Sequence, residues 1–273
     1  MASATHTYDD KSNKTQHIGF LLQANFTMMA LSSAIEPLRM ANQLSGKTLY
    51  VWTMISEDGN SVTASDGLSV NVDCGIDKQS LYDVVLVCGG IAIKDTITKL
   101  TLNWLNYLSR HKVILGGICT GSYLLAKAGL LDGIKCTIHW ELLASWQEDF
   151  PNIDSTNQLF TIDTNRWCSS GGTAPMDLML CLIGKAHGKA LQIAICEMFA
   201  HGHVRDESEM QRIPLQHIIG ANQSKLQEIV HLMEANIEEI LSLDELACYV
   251  SLSRRQLERL FQRYLQCSPH RYY

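Results

Sequence analysis

Apolar and polar positions alternate in blocks along the first three quarters of the chain. His17–Leu22 is a short apolar run that predicts a buried strand. Met28, Leu31, Ile35, Leu38 and Leu44 then recur at helical spacing, and Gly46 ends the run. Residues 50–56 alternate as a strand and "EDGN" turns the chain. "DVVLVCGG" (83–90) reads as a strand buried on both faces, 96–111 as a helix, "KVILGG" as the next strand and "GSYLLAKAGLL" as a helix. Strands that are apolar throughout, separated by helices, predict a doubly wound, mostly parallel α/β sheet. Beyond it come a strand-like "KCTIHW", a short helix, a hairpin in "NQLFTIDTNRWCSSGG" and two helices, each stopped by a glycine.

From about residue 203 the pattern changes. Residues 203–223 have the composition of a linker, and everything from Ser224 onward reads as helix. The expected organisation is a loose N-terminus (1–16), an α/β domain (17–202), a linker (203–223) and an all-α domain (224–273).

The last segment carries a specific pattern. Ser242 precedes a helix with Glu245 three residues on, a capping box. Leu243, Leu246, Ala247 and Val250 form one apolar face, and "SLS" interrupts it. Ser253 then opens a second helix whose inward face is Leu257, Leu260, Phe261 and Tyr264. Two short helices about a three-residue turn, the second basic, follow the helix-turn-helix plan. Arg254, Arg255, Glu258 and Arg259 fall on the outer face, where arginine can grip guanine and glutamate can accept from cytosine. Arg263 and Arg271 suit phosphates. The competing reading is a solvated basic face.

Charge sharpens the contrast. The whole chain is at -6, yet residues 251–273 carry a net of +4. A basic end on an acidic body predicts that the end meets a polyanion, here double-stranded DNA. The nine cysteines include no C-x-x-C pair, which fits a reducing, cytoplasmic setting. No apolar run reaches the length of a membrane span. His187, His201 and His203 lack cysteine or carboxylate partners at metal-ligand spacing, and no phosphate-binding glycine motif is present. Neither a metal nor a cofactor is expected.

The segment 112–133, "KVILGGICTGSYLLAKAGLLDG", poses the chemical question. A strand ends in Gly116-Gly117, Cys119 sits on a tight turn, and a helix follows, the layout of a nucleophile elbow. A helix N-terminus would lower the thiol pKa and offer N–H groups to an anion. The following residue is Thr120, which cannot act as a base at neutral pH.

Over about 17–200, the elbow, the "CGG" after a strand and "GLLDGIKCTIHW" resemble the PfpI-like, class I glutamine amidotransferase-like superfamily. The end of the chain resembles the AraC-type regulators. "AIEPLRMANQLSG", "GICTGSYLLAKAGLLDG" and "GGTAPMDLMLCLI" resemble the group that joins the two. That resemblance implies a flavodoxin-like sheet and a ligand-sensing transcription factor; because paired half-sites need paired readers, a homodimer through the α/β domain is expected. The effector would be an amino acid or a quaternary amine. The family's second helix-turn-helix would follow the helix that begins near Tyr273, so a truncated chain is expected. Hydrolytic relatives place histidine after the cysteine. As an enzyme, this chain would be an amidohydrolase or deglycase using Cys119, with His139 and Glu36 as partners implied by the resemblance. A redox sensor at Cys119 is a third reading. The preferred account keeps the elbow and drops the catalysis. A crevice lined by Glu36, Gly90, Ile91, Cys119, Thr120, His139 and Trp140 then holds a small zwitterion, with Glu36 and the ring of Trp140 or Tyr123 receiving the ammonium.

Overall fold

The computed structural model describes residues 14–76, 81–211, 224–265 and 268–273. The chain divides into two compact units, Met1–Gln211 and Arg212–Tyr273.

A seven-stranded sheet organises the first unit. It is built from β1 (Gln16–Leu22), β2 (Tyr50–Ser56), β5 (Cys74–Gly75), β6 (Val84–Cys88), β7 (Ile114–Ile118), β10 (Phe160–Ile162) and β11 (Arg166–Ser169), in the order β10-β11-β7-β6-β1-β2-β5. Every pairing is parallel except β10 with β11. Period-two alternation sends side chains to two cores. Ile18, Phe20, Leu22, Val84, Leu86 and Cys88 face α1 (Met28–Ser45), α5 (Ala174–His187) and α6 (Lys189–Met198). Leu21, Val85 and Val87 face α2 (Lys99–Arg110), α3 (Ser122–Lys127) and α4 (Trp140–Asp149). Helices therefore cover both faces, as the all-apolar strands predict. Gly46 closes α1 in the left-handed conformation, φ 67°.

Two short strand pairs stand beside the sheet, of which only the strand at 135–137 is expected from the sequence. β3 (Val62–Thr63) and β4 (Ser69–Val70) form a small hairpin, and β8 (Lys135–Thr137) pairs with β9 (Asp154–Thr156) apart from the main sheet.

The expected boundary at residue 202 is corrected. Residues 203–211 are sewn to the α/β unit by polar contacts. Asp177 of α5 is fully buried and accepts from Arg205 Nη2 at 2.6 Å, Arg205 Nε at 2.9 Å and the Arg205 backbone N–H at 2.9 Å. His201 Nε2 lies 3.0 Å from the same carboxylate. Further on, Leu159 N–H donates to Glu209 O and Gln211 N–H to Asn157 O. The remaining linker positions, 212–223, and most of the expected loose N-terminus, 1–13, lie outside the described residues.

The second unit holds α7 (Ser224–Ala235), α8 (Leu243–Tyr249), α9 (Arg254–Leu265) and α10 (Pro269–Tyr272) around Leu226, Ile229, Met233, Leu246, Ala247, Leu257 and Phe261. Among the described residues no helix is long and apolar enough to cross a membrane.

Candidate functional site

The elbow is present and held from several sides. β7 delivers Cys119 at φ 60°, a left-handed conformation that a residue with a Cβ adopts at a cost of about 1–3 kcal/mol. Three close approaches hold it. Thr120 Oγ1 donates to Gly90 O at 2.8 Å, Gly121 N–H bonds Ile118 O at 2.9 Å, and His139 N–H bonds Cys119 O at 3.1 Å. Thr120 is thus a buried peg that joins the elbow to the end of β6. The sheet reverses its winding direction between β1 and β6, and Asn25, Phe26 and Gly90 meet there through a Phe26–Gly90 bridge. The elbow therefore opens at the carboxyl end of the sheet beside the switch point, where ligands of doubly wound folds sit.

Cys119 and His139 converge. A Cβ added to Gly171 would lie 3.1 Å from His139 Nε2 and 3.2 Å from Cys119 Sγ, so both flank one point. The opposite ring nitrogen, Nδ1, lies 3.6 Å from Glu141 Oε2 and caps α4 by accepting from Glu141 N–H at 3.4 Å. The Trp140 ring sits 5.3 Å from the His139 ring. Ile91 is two-thirds exposed at the rim.

Glu36 does not join them. Its carboxylate pairs with Arg39 at 2.7 Å, one turn along the exposed flank of α1. Thr27 takes the place expected of Glu36, with Oγ1 3.6 Å from Cys119 Sγ. Tyr123 is likewise outside the crevice. It packs against Trp146 and Phe150 in the opposite core, and its hydroxyl donates to Asp149 at 2.7 Å. Thr27, Gly171 and Glu141 stand beside Cys119 or His139 without having been singled out in the sequence. A threonine at a helix start and a glycine in a "SSGG" turn carry no chemical signal of their own.

The expected lowering of the thiol pKa is also reversed. Burial pushes Cys119 up, and the hydrogen bonds from Thr27 and the Thr120 backbone only partly oppose it. α3 spans only six residues, too short for a strong dipole. Iodoacetamide should therefore alkylate Cys119 more slowly than exposed Cys248 near neutral pH, with the rate still climbing above about pH 8.5, the ordinary thiol value. Mass spectrometry of the two peptides across the pH range checks this; faster reaction at Cys119 near pH 7 refutes it. Burial pushes His139 down, outweighing Glu141. The folded chain keeps it neutral and the unfolded chain does not, so stability falls as pH drops below about 6.5.

The second unit presents its own surface. Ser242 Oγ accepts from Glu245 N–H while Glu245 Oε2 accepts from Ser242 N–H, so the capping box is complete. Ser253 and Gln256 repeat it at the start of α9. Arg255, Glu258, Arg259 and Arg263 are exposed on α9 beside an open groove of about 1290 Å³ whose lining includes Ser242, Asp244, Arg255, Arg259 and Gln262. Arg254 is exposed as well and makes contacts within the unit. Its Nε donates to Glu258 at 3.1 Å and its Nη1 to Asp244 at 3.4 Å, which braces α9 against α8. Arg263 lies over the Tyr264 ring at 5.4 Å.

An α/β sheet with a cysteine elbow, followed by a capped helix-turn-helix, defines a regulator assembled on an enzyme-like scaffold. The family comparisons agree. The model of the DJ-1/PfpI family matches residues 18–185. The HTH-type transcriptional regulator GbdR of Pseudomonas aeruginosa is 56% identical over 263 residues, covering 96% of this chain and 72% of the relative. The HTH-type transcriptional regulator CdhR of the same organism is 41% identical over 259 residues, 95% and 77%. A crystal structure of an AraC family transcriptional regulator from Pseudomonas putida superposes with a TM-score of 0.62 at 30% identity, covering 67% of this chain and 99% of that one. The chain belongs to the AraC-type transcription regulators that carry a DJ-1/PfpI domain.

Proposed function

We propose that the α/β unit senses a small zwitterion without turning it over and that the helical unit reads DNA in response. The observation that carries the non-catalytic part is the placement of the Cys119 thiol, buried with Thr27 Oγ1 at 3.6 Å where an acidic partner was expected; burial pushes its pKa up. No base stands next to it in sequence, since Thr120 is spent on Gly90 O. In this reading the guest sits at the elbow among Gly90, Ile91, Cys119, His139, Trp140 and Thr27, with the buried Thr120 acting through its bond to Gly90 O. The carboxylate end lies against the elbow backbone. The ammonium end lies against the Trp140 ring and the Glu141 carboxylate, which replaces Glu36 in this role. An amino acid or an N-methylated glycine satisfies both poles.

Calorimetry against a panel of amino acids and methylated glycines tests the sensing. Absence of heat from every zwitterion, or turnover of an amide or glycated compound that Cys119→Ala abolishes, defeats it. The second result would install the hydrolase reading.

DNA reading rests on Arg255, Glu258 and Arg259, with Arg263 on phosphates. Arg255→Ala and Arg259→Ala should each cost about 1–3 kcal/mol on a selected duplex and relax its sequence preference. Arg263→Ala should weaken all sequences alike and reduce the salt slope by about one. Arg254→Ala should act indirectly, by freeing Glu258. Retardation titrations at several salt concentrations separate the three patterns. Paired half-sites need paired readers, so we place a homodimer contact on the α/β unit; sedimentation of the first unit as a monomer at micromolar concentration counts against it.

A further inference from the structure

We propose that Gln211 is the positioning residue that ties the elbow to the DNA-reading unit. The inference rests on reading the elbow as the ligand site.

Gln211 is the last residue of the first unit, and the chain runs on from it into the helical unit. A polar residue at such a junction would ordinarily face water. Gln211 is instead 7% exposed. Its side-chain oxygen accepts from Trp140 N–H at 2.9 Å. Its side-chain nitrogen donates to Ile138 O at 2.9 Å, with Thr137 Oγ1 at 3.1 Å and Gln158 O at 3.2 Å also in reach. Its own backbone N–H donates to Asn157 O at 2.8 Å. The carboxamide thus grips the peptide groups on both sides of His139. The N–H of His139 itself goes to Cys119 O. One residue therefore separates the exit of the α/β unit from the ring and the sulfur that flank the candidate pocket.

This geometry supports coupling in both directions. A guest that moves His139 or Trp140 shifts the partners of a buried amide, and a buried amide without partners is costly. The relaxed arrangement moves Gln211, the last residue of the α/β unit. By linkage, bound duplex must then change the affinity for the guest by the factor by which the guest changes the affinity for duplex. A glutamine clasping its own domain for stability alone would not transmit.

The test uses the full chain and a duplex selected from a random pool by retardation. Iodoacetamide labelling of Cys119 is followed by peptide mass, with Cys248 as the reference thiol. Labelling of a buried thiol reports how often its site opens, so saturating duplex should change the Cys119 rate by about fivefold, the lower end of ordinary coupling. Gln211→Leu should abolish that change, and Gln211→Glu, which keeps only the acceptor toward Trp140 N–H, should reduce it. No duplex-dependent change in the native chain overturns the proposal. So does a change of undiminished size in whichever of the two variants folds, even with a lowered melting temperature. Failure to select any duplex overturns the proposal together with the DNA reading, and is told apart from a selected duplex that leaves the labelling rate unchanged. Failure of all zwitterions in calorimetry would sink the ligand reading without touching the labelling result, so the two claims fall separately.

Discussion

Arg205→Met should lower the unfolding free energy of the α/β unit by about 3 kcal/mol, read as a drop in the urea midpoint. Asp177 is fully buried, and two of its four hydrogen bonds come from the Arg205 guanidinium. Methionine keeps the packing of the arginine stem but leaves a carboxylate in the core with only His201 and one backbone N–H. The reverse change, Asp177→Asn, should cost less. Arg205 is a quarter exposed and can turn its charge to water, whereas Asp177 has no such exit. The double variant Asp177→Leu with Arg205→Met should recover most of the loss, because no unpaired charge remains. A single Arg205→Met within about 0.5 kcal/mol of the native chain would mean that this pair does not hold the 203–211 segment.

Gly121→Ala should cost at least as much, about 3 kcal/mol or more, and show as a sharp fall in soluble yield and melting temperature. A Cβ there would fall well inside van der Waals contact of Val87 O and 3.0 Å from Ile118 O. Both are backbone atoms. Val87 lies in β6, bonded to β1 on one side and β7 on the other, so it cannot retreat. Gly133→Ala is the matched control. It has φ 69° but nothing within 4 Å of the added carbon, so only the conformational strain of about 1 kcal/mol applies. Equal losses at the two positions would show that strain, not the close approach at the elbow, sets the cost.

Much of the architecture was legible because burial on both faces of a parallel sheet forces apolar strands, and the helix periods between them are clean. Ser242 with Glu245 announced α8, and the three-residue turn announced α9, for the same reason: capping chemistry is local. The site was legible only where one residue type decides. Cys119 after two glycines was visible, and so was His139. Glu36 against Thr27 was not, because α1 is long enough to carry Glu36 away to Arg39, and no local pattern tells which side chain will meet the sulfur. The thiol pKa was misjudged because a dipole argument uses the next helix alone. The outcome depends on desolvation by Phe26, Ile118 and neighbouring core residues from distant strands. The tail at 203–211 looked like a linker because it is polar. Its polarity is what binds it: Arg205 meets a buried aspartate contributed by a helix about thirty residues upstream, and Gln211 meets backbone groups more than fifty residues upstream.

Because the strap through Arg205 and Gln211 belongs to the α/β body, a chimera carrying a foreign reader should be spliced after Gln211 rather than after Gly202. A cut at the earlier position would strip nine residues from the donor, strand the Asp177 carboxylate and leave the backbone flanking His139 unbraced. The modular seam of this regulator thus lies inside a stretch whose composition advertises a leash, and grafting strategies guided by polarity alone would sever it on the wrong side.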